Sequence, residues 1–286
     1  MTIAMNAEEL KRQLRELQDN DYTELRIEDA FPLCLTMLSF IGHPDGELRD
    51  QLIYGTYTQL ILQNYLSNEQ LGELLVRCMQ DDYLLAGIGS KDNDTVFTRA
   101  FTALLVALLL MEDTQSSFIL REQFQQLTTR LLKYVEDEQD YRGYVKGKGW
   151  AHSIAHVADA MEVLVRNPKL TINEFTLIAK ILLEKILIHE IVYQDEEDER
   201  MVSPFIAMLE RGWEEKELIK ILEEKIKKSI RLKDEFPVPD KYHQMLNMKL
   251  LLRSFYFRIY KEKKWSCLTA ELERLLPFVS PTFNIG

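Results

Sequence analysis

The chain has 286 residues, 46% of them hydrophobic, with 35 Lys and Arg against 46 Asp and Glu for a formal net charge of −11. Its 11 glycines and 8 prolines fall well short of the usual ~7% and ~5%, which excludes collagen-like and low-complexity chains and disfavours a turn-rich sandwich or barrel. The apolar content is enough for a core, and the acidic total repels nucleic-acid phosphate at long range, so no nucleic-acid partner is expected.

Apolar residues recur at three- and four-residue spacing almost throughout, the period of amphipathic helices. The opening MTIAMNAEELKRQLREL lacks the apolar core of a secretory signal and begins a helix over 6–18. Helices over 28–41, 47–65 and 68–80 follow, the last announced by Ser67 with Gln70 three residues on, a capping box. Asn93 or Asp94 caps a helix over 94–112. Its apolar run Ala100–Met111, only 12 residues and broken by Thr102, falls short of the ~20 that span a bilayer. It reads as a helix buried on all sides, with no membrane involved. Further helices are expected over 118–138, 150–166, 172–192, 198–211, 214–231, 241–262 and 267–278. Thr171 with Glu174 matches a second capping box, Ser203–Pro204 reads as an N-cap followed by a first-turn proline, and Gly212 is placed to stop a helix. No alternation of four or more residues predicts a strand.

The fold class is therefore all-α. From residue 94 onward, hairpins beginning near 94, 150, 198 and 241 recur at a spacing close to the ~40–47 residues of HEAT repeats. An irregular HEAT-like helical-hairpin solenoid, an α–α superhelix, is expected, with an irregular helical bundle as the alternative. No Pro/Ser-rich linker divides the chain, so 1–286 reads as a single domain. Cys34, Cys78 and Cys267 offer neither a disulfide framework nor a CxxC pair, which suits a reducing, cytoplasmic compartment. Cys34 and Cys78 lie in apolar helical context and read as packing residues. The stretch 215–265 carries 14 Lys/Arg and 8 Asp/Glu. Its KELIKILEEKIKKSIRLK run reads as a solvated helix face with i,i+4 Glu–Lys pairs, or as a surface that meets an acidic partner. SFYFRIY (254–260) reads as a core helix, His189–Glu190 as the late edge of an apolar helix, and His43 in GHPDGE as a turn residue.

Composition departs from simple packing in DEQDYRGYVKGKGWAHSIAHVADAMEVL, which begins at Asp137. Gly143, Gly147 and Gly149 fall within seven residues, ahead of a strongly periodic helix. On that helix His152, His156 and Asp159 stand at i, i+4 and i+7, with neighbouring side chains about 5–6 Å apart. Three readings are open. The imidazoles can form a structural polar network with carboxylates or carbonyls. Arg142, Lys146 and Lys148, on a glycine-containing loop before a helix N-terminus, can hold a small anionic ligand or a protein segment. His152 and His156, with Asp159, can ligate a divalent metal. A second helix beginning DEEDER (Asp195, Asp198, Glu199) would complete a metal site if it packs opposite. In that case a metal-assisted hydrolase would use Asp198 or Glu199 as general base. A protein-interaction scaffold using a concave solenoid surface is a further alternative. Neither GxSxG, GxxxxGK[ST] nor GxGxxG occurs.

Four blocks, KDNDTVFTRAFTALLVALLL, DYRGYVKGKGWAHSIAHVADAMEVL, DEEDERM and LNMKLLLRSFYFRIY, resemble in that order an uncharacterised bacterial family, domain of unknown function 2785. The resemblance covers about 90–260; the N-terminal 90 residues match it less clearly. It implies a cytoplasmic, all-helical protein and supplies no reaction, cofactor or partner. It also implies that Arg99, Asp140, Arg142, Gly143, Trp150, His152, His156, Asp159, Asp198, Glu199, Arg200 and Arg253 occupy motif positions. Of these, Arg99, Trp150 and Arg200 join Arg142, Lys146 and Lys148 as candidate ligand-binding residues. The oligomeric state has no signature in the sequence.

Overall fold

The structure, a computed structural model, describes residues 5–232 and 239–280. Residues 1–4 of the N-terminal reading and 233–238 of the basic stretch lie outside the described residues. The fold is all-α, with twelve α-helices and one two-stranded hairpin among the described residues. Its contacts group into two compact units, Met1–Lys169 and Leu170–Gly286.

In the first unit α1 (Ala7–Asp19) starts at a capping box of Asn6 and Glu9 and buries Leu10, Leu14 and Leu17 along one face. After α2 (Ile27–Ser39), the predicted helix over 47–65 begins as a π-helical segment, Glu47–Tyr54, and continues as α3 (Gly55–Leu62). The Ser67–Gln70 box caps α4 (Asn68–Cys78) as the spacing predicts. The centre of the unit is α5 (Thr95–Ser116), flanked by α6 (Arg121–Asp137) and packed most extensively against α7 (Ser153–Arg166). Buried Ala100, Ala103 and Ala107 on α5, and Ala155, Ala158 and Ala160 on α7, leave room for close approach. By length and composition α5 is the one helix, among the described residues, able to cross a bilayer, and 67% of its apolar window is buried in the protein. Its end is fastened by fully buried Asp113, which accepts from Ile119 N (2.7 Å), Asn167 Nδ2 (2.8 Å) and the Lys169 ammonium. Cys34 and Cys78 are buried, and burial pushes the Cys34 thiol up to about 12 and the Cys78 thiol further, so both pack rather than react.

The second unit comprises α8 (Phe175–Ile186), α9 (Glu197–Glu210), α10 (Glu215–Leu232), α11 (Asp240–Ile259) and α12 (Ser266–Leu275). The Thr171–Glu174 box opens a short 3-10 turn that leads into α8. The helix predicted over 172–192 stops at Ile186. The carbonyls beyond it are taken from α11: Gln244 donates to Leu187 O (2.8 Å), and Asn247 to Ile188 O (3.3 Å) and Ile191 O (2.9 Å). His189 therefore lies in a loop and not on a helix edge. Ser203–Pro204 does not open a helix, because the acidic run Glu197, Asp198 and Glu199 supplies the first turn of α9, where it suits the helix dipole. Arg258 donates to Glu199 O (2.8 Å) and Ser203 Oγ (2.9 Å) beside the interrupting proline. Gly212, at φ +89, ends α9 as expected. In the basic stretch Lys227 pairs with Glu223 at i,i+4 (3.5 Å), whereas Lys225 and Lys228 reach Glu184 of α8. SFYFRIY is only half core: Phe255 and Ile259 are buried, Phe257 and Tyr260 exposed.

Candidate functional site

The segment singled out by its composition forms a corner between the end of α6 and the start of α7, and its charges are paired from the inside outward. Glu138, directly after α6, is fully buried against Arg99 of α5, with Arg99 Nε donating to Oε2 (2.5 Å) and Nη2 to Oε1 (2.7 Å). The same Glu138 carboxylate accepts the backbone N–H of Gln139 and Asp140, each at 2.8 Å. Burial works against the charge of Arg99, but the Glu138 carboxylate more than offsets it and raises the guanidinium pKa. Arg99 is thus a fully buried cation paired within the unit.

Asp140, 2% exposed, accepts from Arg142 Nε (2.8 Å) and Nη2 (2.5 Å) and from Asp92 N (3.1 Å), while its carbonyl accepts Ser153 Oγ (2.6 Å). Arg142 donates in addition to Asn93 O (2.8 Å), and its pKa is raised by the Asp140 hydrogen bond. Lys148 Nζ reaches both oxygens of Asp94 (2.6 and 2.8 Å). Two of the three cations expected to meet an anion are therefore neutralised within the unit. Lys146 is exposed and makes no ion pair among the described residues.

Between them runs a hairpin that no strand signal predicted. β1 (Tyr144–Val145) pairs antiparallel with β2 (Gly149–Trp150), in the register Tyr144↔Trp150 and Val145↔Gly149. Positive φ at Gly147 (+81) and Gly149 (+80) permits the turn and the close approach beneath it. A Cβ on Gly149 would lie 3.2 Å from Arg49 Nη2 and 3.3 Å from the Cα of Gly46. Arg49, 0% exposed, pins the hairpin from below, donating to His43 O (2.6 Å), Lys148 O (2.7 Å) and Trp150 O (3.0 Å). Its guanidinium lies 4.2 Å from the Phe97 ring centroid and 4.8 Å from that of Phe101, and burial lowers its pKa to about 10. Sequence reasoning missed Arg49 and Glu138. For Arg49 no local signal existed, since its hairpin acceptors lie 99 and 101 residues away.

The helix expected to carry both histidines starts at Ser153. His152 is its N-cap, in a left-handed conformation at φ +48, because the chain turns out of β2 there. The ring of His152 nonetheless stays close to that of His156, at 5.7 Å and 83°. A graded ladder results. Tyr144, 58% exposed, meets Trp150 edge-on at 5.0 Å, and Trp150, 36% exposed, stacks on His152 at 4.3 Å and 20°. His156, 6% exposed, meets buried Phe101 at 5.0 Å. Asp159 lies half-buried further along α7. The His152 and His156 ring centroids are 5.7 Å apart, and Asp159 is the next carboxylate along the helix.

The remaining candidates belong to the second unit, in the first turn of α9. Asp198 is half-buried and accepts Ser254 Oγ of α11 (2.5 Å); Glu199 is half-buried and Arg200 exposed. Comparison with curated proteins and with solved structures gives no match. The family described as protein of unknown function DUF2785 matches residues 84–257, which include the whole hairpin corner and most of α11, and the chain belongs to that family.

Proposed function

We propose that the protein is a cytosolic helical-repeat binding protein whose hairpin corner receives a segment of another protein. An apolar or aromatic side chain of that segment lies on Trp150 and Tyr144, and an acidic group meets Lys146. The observation that carries this reading is the Trp150 indole, 36% exposed, stacked at 4.3 Å on His152 while Arg49 holds its strand from below. Aromatic anchors already fixed in place lose little entropy on binding, which is why they recur at recognition hot spots. A small anion is the weaker candidate. To engage Arg142 or Lys148 it would have to displace Asp140 or Asp94, and Asp140 is itself a buried carboxylate.

Peptides selected from a random displayed library against the intact protein provide the test. Trp150→Ala should weaken the selected peptides roughly tenfold or more while far-ultraviolet circular dichroism shows the fold retained. Equal binding by wild type and variant would sink the proposal. The metal reading, with His152, His156 and Asp159 as ligands, makes a different prediction. Stoichiometric divalent metal in the purified protein, lost in His152→Ala, would replace segment binding with metal-assisted chemistry.

A further inference from the structure

A second feature lies in the other unit and does not depend on the hairpin corner. The inner side of α11 buries Met245, Met248, Leu251, Leu252, Phe255 and Ile259. Its outer side is not the polar face that such a helix ordinarily shows to water. Tyr242 is 44% exposed, Leu246 40%, Phe257 67% and Tyr260 46%, with exposed Arg253 between Leu246 and Phe257. At 100° per residue these five lie within an arc of about 60° and run for about 27 Å along the helix. The aromatic end is preformed: Tyr256 stacks on Tyr260 (5.8 Å, 14°), and Phe257 meets Tyr260 edge-on (6.2 Å, 86°). The Tyr256 hydroxyl is fixed by Glu273 of α12 (2.7 Å). Exposed apolar groups set along one helix face on either side of a central arginine mark an interaction surface.

We infer that this face of α11 docks an acidic amphipathic helix of a partner protein. Charge chooses the occupant. Exposed Arg253 lies on the stripe, half-buried Lys249 beside it and Lys261 at its end; no Asp or Glu of α11 falls within the arc, and Glu273 of α12, which reaches the stripe, is engaged by the Tyr256 hydroxyl. Positions 242, 246, 249, 253, 256 and 260 follow the alternating four- and three-residue steps by which one helix meets another. A second copy is disfavoured, since two-fold antiparallel pairing about the middle of the stripe sets Lys249 and Arg253 of each copy against those of the other. An anionic membrane is disfavoured as well. A helix lying in a bilayer interface keeps its cations at the flanks of an apolar centre, whereas Arg253 sits on the centre line.

The test uses the full chain and a fluorescein-labelled 21-residue designed helix, with leucines along one face and glutamates placed opposite Lys249 and Arg253. A matched peptide carries lysine in place of those glutamates. Fluorescence anisotropy should show the acidic peptide binding at least roughly tenfold more tightly than the basic one, a preference that weakens with salt. Phe257→Ala should lower acidic-peptide affinity about tenfold. Arg253→Glu should abolish most of the preference, since Lys249 still faces its glutamate, and Trp150→Ala should leave it intact. Both Phe257 and Arg253 are exposed, so the thermal midpoint and far-ultraviolet circular dichroism should match wild type. Should Arg253→Glu alter the fold, Arg253→Gln should still narrow the preference. Equal or absent binding of the two peptides overturns the inference. So does Phe257-dependent binding to phosphatidylserine vesicles without peptide binding, or a dimer in light scattering that Phe257→Ala dissolves.

Discussion

Replacing Glu138 by glutamine tests whether the corner is built from the inside. The substitution removes the negative charge from a pair in which both side chains are 0% exposed and two hydrogen bonds, of 2.5 and 2.7 Å, join them. Arg99 stays charged without a counter-charge: the glutamine oxygen can still accept one N–H, but its NH2 faces the other, leaving Ala86 O (3.2 Å), Ser90 O (3.3 Å) and Thr95 Oγ1 (3.2 Å) as the remaining acceptors. Breaking one side of a buried pair costs about 3–5 kcal/mol. At about 2–4 °C per kcal/mol for a unit of this size, the thermal midpoint should fall by roughly 6–20 °C. Urea unfolding monitored by circular dichroism gives the free energy. Hydrogen exchange should place the loss of protection at residues 138–153, because Glu138 also holds the N–H groups of Gln139 and Asp140. The double variant Arg99→Met/Glu138→Leu leaves no unpaired charge. Its cost should fall short of the sum of Arg99→Met and Glu138→Leu by about 2–3 kcal/mol, near the upper end of couplings between contacting residues. Additive costs, or a Glu138→Gln cost below about 1 kcal/mol, would refute the claim that the pair is desolvated.

Two further perturbations separate strain from contact and charge from shape. Gly147→Ala meets nothing within 4 Å and should cost only the left-handed backbone, about 1–2 kcal/mol, whereas Gly149→Ala adds contacts with Arg49 and Gly46 and should cost about 1–3 kcal/mol more in the same urea assay; equal costs would mean the hairpin is not pressed onto Gly46. For Asp45, burial pushes the carboxyl up, but Lys11 and the N–H groups of Leu48 and Glu47 outweigh it and hold the pKa below the ordinary 3.8. A folded value below the unfolded one gives stability that is complete above the unfolded pKa and lost as pH falls through the folded one. Asp45→Asn should therefore be less stable than wild type at pH 7, the difference shrinking as pH falls below 3.8 and through the lowered folded pKa, and parallel curves across that window would contradict the assignment.

The parts of the fold that were legible in the sequence have local causes. Ser67 with Gln70, Thr171 with Glu174, and Gly212 each act within a few residues, and each marks its boundary correctly. Apolar periodicity runs on through Leu187, Ile188 and Ile191, so nothing local revealed that α8 stops at Ile186; the carbonyls that would extend it are taken by Gln244 and Asn247, more than fifty residues away. The i, i+4, i+7 spacing of His152, His156 and Asp159 presupposed a helix already running at His152. Instead the hairpin delivers His152 in a left-handed turn, and the imidazole faces Trp150 as well as His156. Counting cations in the loop suggested an anion site, yet Asp140 stood two residues from Arg142. Whether that acid faces water or the guanidinium depends on the burial of Asp140 beneath Asp92 and Ser153, which no single-sequence pattern encodes.

What links these cases is the division of labour within the corner. Charged residues at motif positions invite a binding role, because packing alone would favour apolar side chains there. In this unit they, together with Glu138 and Arg49, act on the backbone. Glu138 holds two N–H groups, Asp140 holds those of Asp92 and Arg142, Arg142 holds the carbonyl of Asn93, and Arg49 holds three carbonyls that irregular chain would otherwise leave unpaired. A short hairpin has too few ladder bonds to fix itself, so its rigidity must come from such side chains. Once they are committed, the chemistry left facing outward is Tyr144, Lys146 and Trp150, and recognition at this corner has to be argued from aromatic contact rather than from charge. The same reasoning assigns a purpose to sequence ahead of the family match at residues 84–257. Arg49 and Gly46 form the floor on which Lys148, Gly149 and Trp150 rest. A chain beginning at residue 84 would keep every motif residue of the corner and lose the support that sets the angle at which Trp150 is presented.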